Sequence, residues 1–201
     1  MVFKSQLKSM VQWQPIKKLF IFLLCLLPIS VFADTVTYYF NGYSAGEVWD
    51  TSPANMVDGD IGTYASATPF LTDTQLLNTN TCDGTGLGRI TKVELRVYGY
   101  KELGGVGINI RPVFSGGDGN EYDTNMTTSA GWSSYIDITL SANAPQDWLW
   151  GNIQNLDCDV EANGALELTT LYCSKVEVRV TYAKRGLDVN GATLNNITIR
   201  N

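Results

Sequence analysis

No histidine occurs anywhere in the 201 residues. That absence removes Ser-His-Asp and Cys-His nucleophilic catalysis, histidine metal ligation and histidine pH switching together. Long apolar runs are missing too. The apolar stretch at residues 19–27 falls well short of the roughly 20 residues that span a bilayer. Basic charge is scarce beyond residue 33, where 10 Lys and Arg face all 20 Asp and Glu. So acidic a chain repels phosphate backbones, which argues against nucleic acid as a partner.

What is present begins with an export label. Lys4, Lys8, Lys17 and Lys18 precede the apolar stretch, Pro28 breaks it, and Val31-Phe32-Ala33 supplies small residues at a cleavage site. A basic start, a short apolar core and a small-x-small end describe a secretory signal peptide over residues 1–33. An uncleaved anchor is the weaker reading, because nothing after Ala33 extends the apolar stretch. The expectation is a mature chain from about Asp34, not inserted in a membrane. It would be secreted, extracellular or on the cell surface, or periplasmic.

The remaining 168 residues are the size of one domain and need no disulfide for a core. Three cysteines stay with it, Cys82, Cys158 and Cys173. An oxidising compartment allows one bridge. Pairing Cys158 with Cys173 closes a loop of about 15 residues, worth roughly 3 kcal/mol by chain entropy. Three reduced cysteines buried as small apolar residues are the other reading.

Alternation of period two recurs, and no helical period is sustained. Val36, Tyr38 and Phe40 alternate with Thr37 and Tyr39; Val93, Leu95 and Val97 with Lys92, Glu94 and Arg96. The same parity places Val106, Ile108, Ile110 and Phe114 together, then Ile136, Ile138 and Leu140, then Val176, Val178 and Val180. One apolar and one polar face per strand predicts antiparallel sheets packed face to face. Asp83-Gly84, Gly104-Gly105 and Asn163-Gly164 mark turns between them. A helical turn is expected within residues 145–156, burying Trp148, Leu149 and Ile153. Lys92-Val-Glu-Leu-Arg-Val nearly repeats as Lys175-Val-Glu-Val-Arg-Val. No further match at that offset supports a duplication, so these read as two strands under one rule. The fold expected is all-β, an antiparallel β-sandwich over residues 34–182. Residues 183–201 follow as a tail or hairpin, with Asn190-Gly191 as its turn signal.

Asn55-Met-Val-Asp58-Gly59-Asp60-Ile-Gly62-Thr63-Tyr64 resembles the early loop of galactose-binding-like, discoidin-type jelly-roll modules of secreted, surface and phage-borne proteins. The Trp148-Leu-Trp150 turn and the Val178-x-Val180-x-Tyr182 ending are similar to late segments of such modules. The resemblance implies a jelly-roll β-sandwich and, in many members, glycan binding. It also implies a structural Ca²⁺ at the loop, with Asp58, Asp60 and Thr63 as ligands and Glu177 as a closing ligand. By chemistry alone, Ca²⁺ takes six to eight oxygens on a sharply bent loop. An Asx turn, in which Asp58 bonds its own backbone, uses the same residues. Glu177 equally fits the outward charge stripe.

A sugar binder needs flat aromatic faces beside polar groups. Tyr64, Tyr98, Tyr100 and Trp132, with Glu94 and Arg96, form the candidate ligand set; Trp49 and Tyr135 are further aromatic candidates. Three function classes follow. The first is a non-catalytic module for a glycan or cell-surface polysaccharide. The second is a structural surface or filament subunit that self-assembles through strand edges or the tail. The third is a carboxylate-based glycan-cleaving enzyme, ranked last because no acid and base pair can be placed.

Overall fold

Side-chain parity builds two sheets whose apolar faces meet. The computed structural model describes residues 33–45, 49–103, 107–164 and 169–184, with two short strands beyond them. The signal peptide and Val106 lie outside the described residues, except for Ala33. Among the described residues, no helix is long and apolar enough to cross a membrane.

The chain runs β1 (Ala33–Tyr43), a 3-10 turn (Pro53–Met56), β2 (Ala65–Ala67), β3 (Thr72–Asn80), β4 (Arg89–Lys101) and β5 (Gly107–Phe114). Short strands β6 (Gly117–Asp118), β7 (Tyr122–Asp123), β8 (Gly131–Trp132) and β9 (Ile136–Asp137) follow. A one-turn helix, Trp150–Gln154, leads into β10 (Asp157–Asn163) and β11 (Leu171–Ala183). Among the described residues, every strand pairing is antiparallel. The fold is therefore all-β and sandwich-like, as expected.

In the first sheet, β4 and β11 pair along their whole length. β8 and β9 line the outer edge of β4, and β1 and β2 share the other edge of β11. The second sheet runs β1, β3, β10, β5, with β6 and β7 outside β5. β1 belongs to both sheets. Tyr39 still pairs with Glu177 of β11, whereas Phe40 pairs with Asn80 of β3. A strand that switches sheets makes a corner of a sandwich, and the fully buried Phe40 fills it.

Val93, Leu95, Val97, Val176, Val178 and Val180 form the first sheet's inner face, all fully buried. Leu77, Ile108, Ile110 and Val160 face them from the second sheet. The near repeat has a structural use. Antiparallel pairing of two Glu-x-Arg segments sets Glu94 opposite Arg179 and Arg96 opposite Glu177.

Three expectations need correction. Leu140 is 95% exposed rather than buried, because the chain turns after Ile138, whose carbonyl accepts the Ser141 N–H. Leu149 is exposed as well; it precedes the helix, while Trp148 and Ile153 are buried. Cys158 and Cys173 are not bridged. They lie in different sheets, and all three described cysteines are free, buried thiols. Burial pushes the Cys173 thiol up to about 12 and raises the Cys158 thiol well above its ordinary value. They act as small apolar core residues.

Beyond the sandwich, β12 (Leu187–Val189) pairs with β13 (Ala192–Leu194) on either side of Asn190-Gly191, where the turn signal places a hairpin.

Candidate functional site

The outer face of the first sheet gathers the whole candidate ligand set. Glu94, Arg96, Tyr98 and Tyr100 alternate along β4, opposite the buried valines. β8 places Trp132 directly across from Tyr98. Tyr64, just before β2, lies against the same patch through β11.

The aromatic rings form one connected surface. Tyr100 and Tyr172 stack with centroids 4.4 Å apart and planes 8° from parallel. Tyr64 meets Tyr100 edge-on at 5.4 Å and stacks on Tyr98 at 6.4 Å. Trp132 meets Tyr98 edge-on at 5.2 Å. All five rings are half-buried. Contacts of this geometry hold aromatic side chains in place while leaving part of each ring open.

Charges frame the rings. Arg96 donates to Glu177 Oε2 through Nε and Nη2, at 2.9 and 2.7 Å. Its guanidinium lies 3.9 Å from the Trp132 ring centroid and 4.4 Å from that of Tyr135. Arg179 sits 3.5 Å over Tyr135 and donates to Glu94 Oε2 at 2.8 Å. Lys92 donates to Glu94 Oε1 at 2.7 Å. The Arg179 hydrogen bond, followed by that of Lys92, holds the Glu94 carboxyl below its usual range against the effect of burial. Planar guanidinium groups both stack on rings and pair with carboxylates. The result is a face of fixed aromatic plates with polar groups beside them.

Tyr172 joins this face without any signal in the sequence pattern. Parity counted back from Val176 places it inward, but a bulge between Cys173 and Lys175 shifts the register by one residue. A bulge reverses the faces beyond it. Gly99 permits the close approach there, since a Cβ on it would lie 2.2 Å from the Tyr172 carbonyl oxygen. Tyr172 Oη donates to Glu102 at 3.0 Å, and that bond raises its phenol above the ordinary range. Trp49, by contrast, is core: it is buried and its indole N–H donates to the Val160 carbonyl at 3.1 Å.

The loop at residues 58–63 is an Asx-type turn. Asp58 Oδ1 accepts the Asp60 N–H at 2.8 Å, and its Oδ2 accepts the Thr63 hydroxyl at 2.6 Å. Asp60 Oδ1 accepts the Gly62 N–H at 2.8 Å. Glu177 does not close a cage with them; Arg96 holds one of its oxygens, and Lys175 lies 3.9 Å from the other. Among the described residues, no three carboxylate, Cys or His side chains converge as a metal site would need. This donor set does not fit Ca²⁺ with its six to eight oxygens.

A cavity of about 1060 Å³ opens at one end of the sandwich, lined by Leu87, Arg89, Trp148, Leu149, Trp150 and Tyr182. The Trp148 and Trp150 indoles donate to the Thr139 and Gly88 carbonyls, so both close off the sandwich end.

No protein-family profile matches the chain, and no curated protein matches it. Among solved structures, it is similar to the dimeric latent PorU from Porphyromonas gingivalis, with a TM-score of 0.31 and 12% identity. That likeness covers 76% of this chain and spans only 13% of the other.

Proposed function

We propose that the chain is an exported, non-catalytic binding module of galactose-binding-like jelly-roll type whose first-sheet outer face takes a glycan. One observation carries this reading: Tyr64, Tyr98, Tyr100, Tyr172 and Trp132 form a continuous, half-open aromatic surface beside Arg96 and Glu94. Pyranose rings present C–H faces to such plates and hydroxyls to such polar groups. The non-catalytic reading is supported by Glu94 and Glu177, two acids on this face, which are engaged in ion pairs. The test is a glycan array of the exported chain beside Tyr98→Ala and Tyr100→Ala. A saccharide class should be retained by the wild type and lost about tenfold or more in either variant, the worth of one aromatic contact. Retention of no glycan, or equal retention by the variants, would defeat the proposal.

Self-assembly is the second reading, favoured by one observation. The β12 and β13 hairpin pairs only with itself among the described residues. A lone two-stranded ribbon is marginally stable and gains from joining a sheet edge. Light scattering should then show a concentration-dependent oligomer that is lost when residues 186–201 are deleted. A monomer at all concentrations would remove this reading.

A further inference from the structure

The edge of β11 has a gap. β1 follows it only as far as Tyr39, opposite Glu177, and β2 begins at Ala65, opposite Cys173. No described strand lies beside residues 174–176 on that edge. The 58–63 loop fills the space, and two of its carbonyls meet side chains of β11. Ser174 Oγ donates to the Asp60 carbonyl at 3.0 Å, and Lys175 Nζ to the Gly59 carbonyl at 3.5 Å.

Lys175 is the centre of this arrangement. Its ammonium also lies 3.9 Å from Glu177 Oε1 and 4.3 Å from the Tyr39 ring centroid, with its side chain only 14% exposed. A carbonyl, a carboxylate and an aromatic face therefore surround one positive charge. A lysine suits the position because its charge is compact and its stem packs along apolar surface. Asp58 and Asp60 meanwhile spend their carboxylates on the loop's own N–H and hydroxyl groups.

We infer that Lys175 supplies, as a built-in cation, the positive charge that a bound metal would bring to this loop, so that the loop is ordered without metal. The loop runs directly into Tyr64, whose carbonyl accepts from Asn55 Nδ2 at 2.9 Å. Lys175 is thus a positioning residue for the first ring of the aromatic face. The inference stands whether or not that face binds a glycan.

The test compares the exported chain with Lys175→Met and Lys175→Arg, each in chelator and in millimolar Ca²⁺. Melting temperature is read alongside cleavage by an Asp-specific endoprotease. The wild type should melt at the same temperature in both conditions. Lys175→Met should be cut before Asp58 and Asp60 several-fold faster than wild type, and Lys175→Arg, which keeps the charge, more slowly than Lys175→Met. Cleavage before Asp159, in the second sheet, reports opening of the whole fold and should stay near the wild-type rate. A Ca²⁺-dependent rise in the wild-type melting temperature would overturn the inference. So would unchanged loop cleavage in Lys175→Met, or cleavage that rises equally at Asp159. None of these readouts involves a glycan, so a blank glycan array leaves them untouched.

Discussion

Replacing Phe40 with alanine is expected to lower the unfolding free energy by about 3–5 kcal/mol, the cost of an aromatic core truncation that leaves a cavity. Phe40 is fully buried and stands at the residue where β1 leaves β11 for β3. It sits where the two sheets share one strand, so neither sheet can close the hole without moving the other. Interiors packed at crystal-like density relax little around such a void. A domain of this size holds only about 5–15 kcal/mol in total, so the variant should approach the limit of folding. Urea denaturation followed by tryptophan fluorescence gives the answer. A loss below about 1 kcal/mol would mean that the corner collapses readily and that β1 does not tie the sheets together through this side chain.

Strands with clean parity are legible in the sequence, and strands without it are not. β1, β4, β5 and β11 announce themselves because apolar residues recur at every second position along part of each: Val36, Tyr38 and Phe40; Val93, Leu95 and Val97; Ile108 and Ile110; Val176, Val178 and Val180. β3 hides because its inner face carries Gln75 beside Leu77. That glutamine is fully buried, and its Nε2 reaches the Ser44 carbonyl at 3.1 Å. A buried polar residue whose side-chain N–H donates to a distant loop looks like a surface residue in the sequence. β10 hides for two reasons: its inner positions Cys158, Val160 and Ala162 are small, and its outer Glu161 is buried as well.

The candidate site divides the same way. Glu94, Arg96, Tyr98 and Tyr100 share a face by parity alone, so β4 yields them directly. Tyr172 required knowledge of the bulge, which one strand's sequence does not reveal. Lys175 required the contact between the loop and β11, two segments 116 residues apart. The resemblance to metal-bearing loops rests on the segment at residues 58–63. What holds that segment is decided by side chains elsewhere in the chain.

A second large effect is expected at Arg111, on the outer face of the second sheet. Its guanidinium serves four carboxylates: Glu161 at 2.5 Å, Glu121 at 3.2 Å, Asp118 at 3.7 Å and Asp159 at 3.9 Å. One positive charge cannot balance four negative ones. Burial therefore pushes the Glu161 carboxyl above its usual range despite the attraction of Arg111, and repulsion from Glu121, Asp159 and Asp118 adds to the shift. Arg111→Met keeps much of the stem and removes the charge, leaving a buried carboxylate unpaired. The expected loss near neutral pH is about 3 kcal/mol, the low end for a broken buried pair because Arg111 is partly exposed. The pH dependence has a definite sign. A carboxyl whose folded value lies above its unfolded value costs stability when ionised, and stability returns as pH falls through the folded value. The Arg111→Met defect should therefore shrink between neutral and mildly acidic pH, as Glu161 takes up a proton. Glu94 acts in the opposite direction: held low by Arg179, it withdraws stability as pH falls through its folded value. Urea midpoints of variant and wild type compared at each pH cancel that common contribution and leave the effect of Glu161. Adding Glu161→Gln to Arg111→Met should recover much of the loss, because it removes the charge left unpaired. An equal defect at both pH values, or no recovery in the double variant, would show that Arg111 supports the sheet by packing rather than by charge.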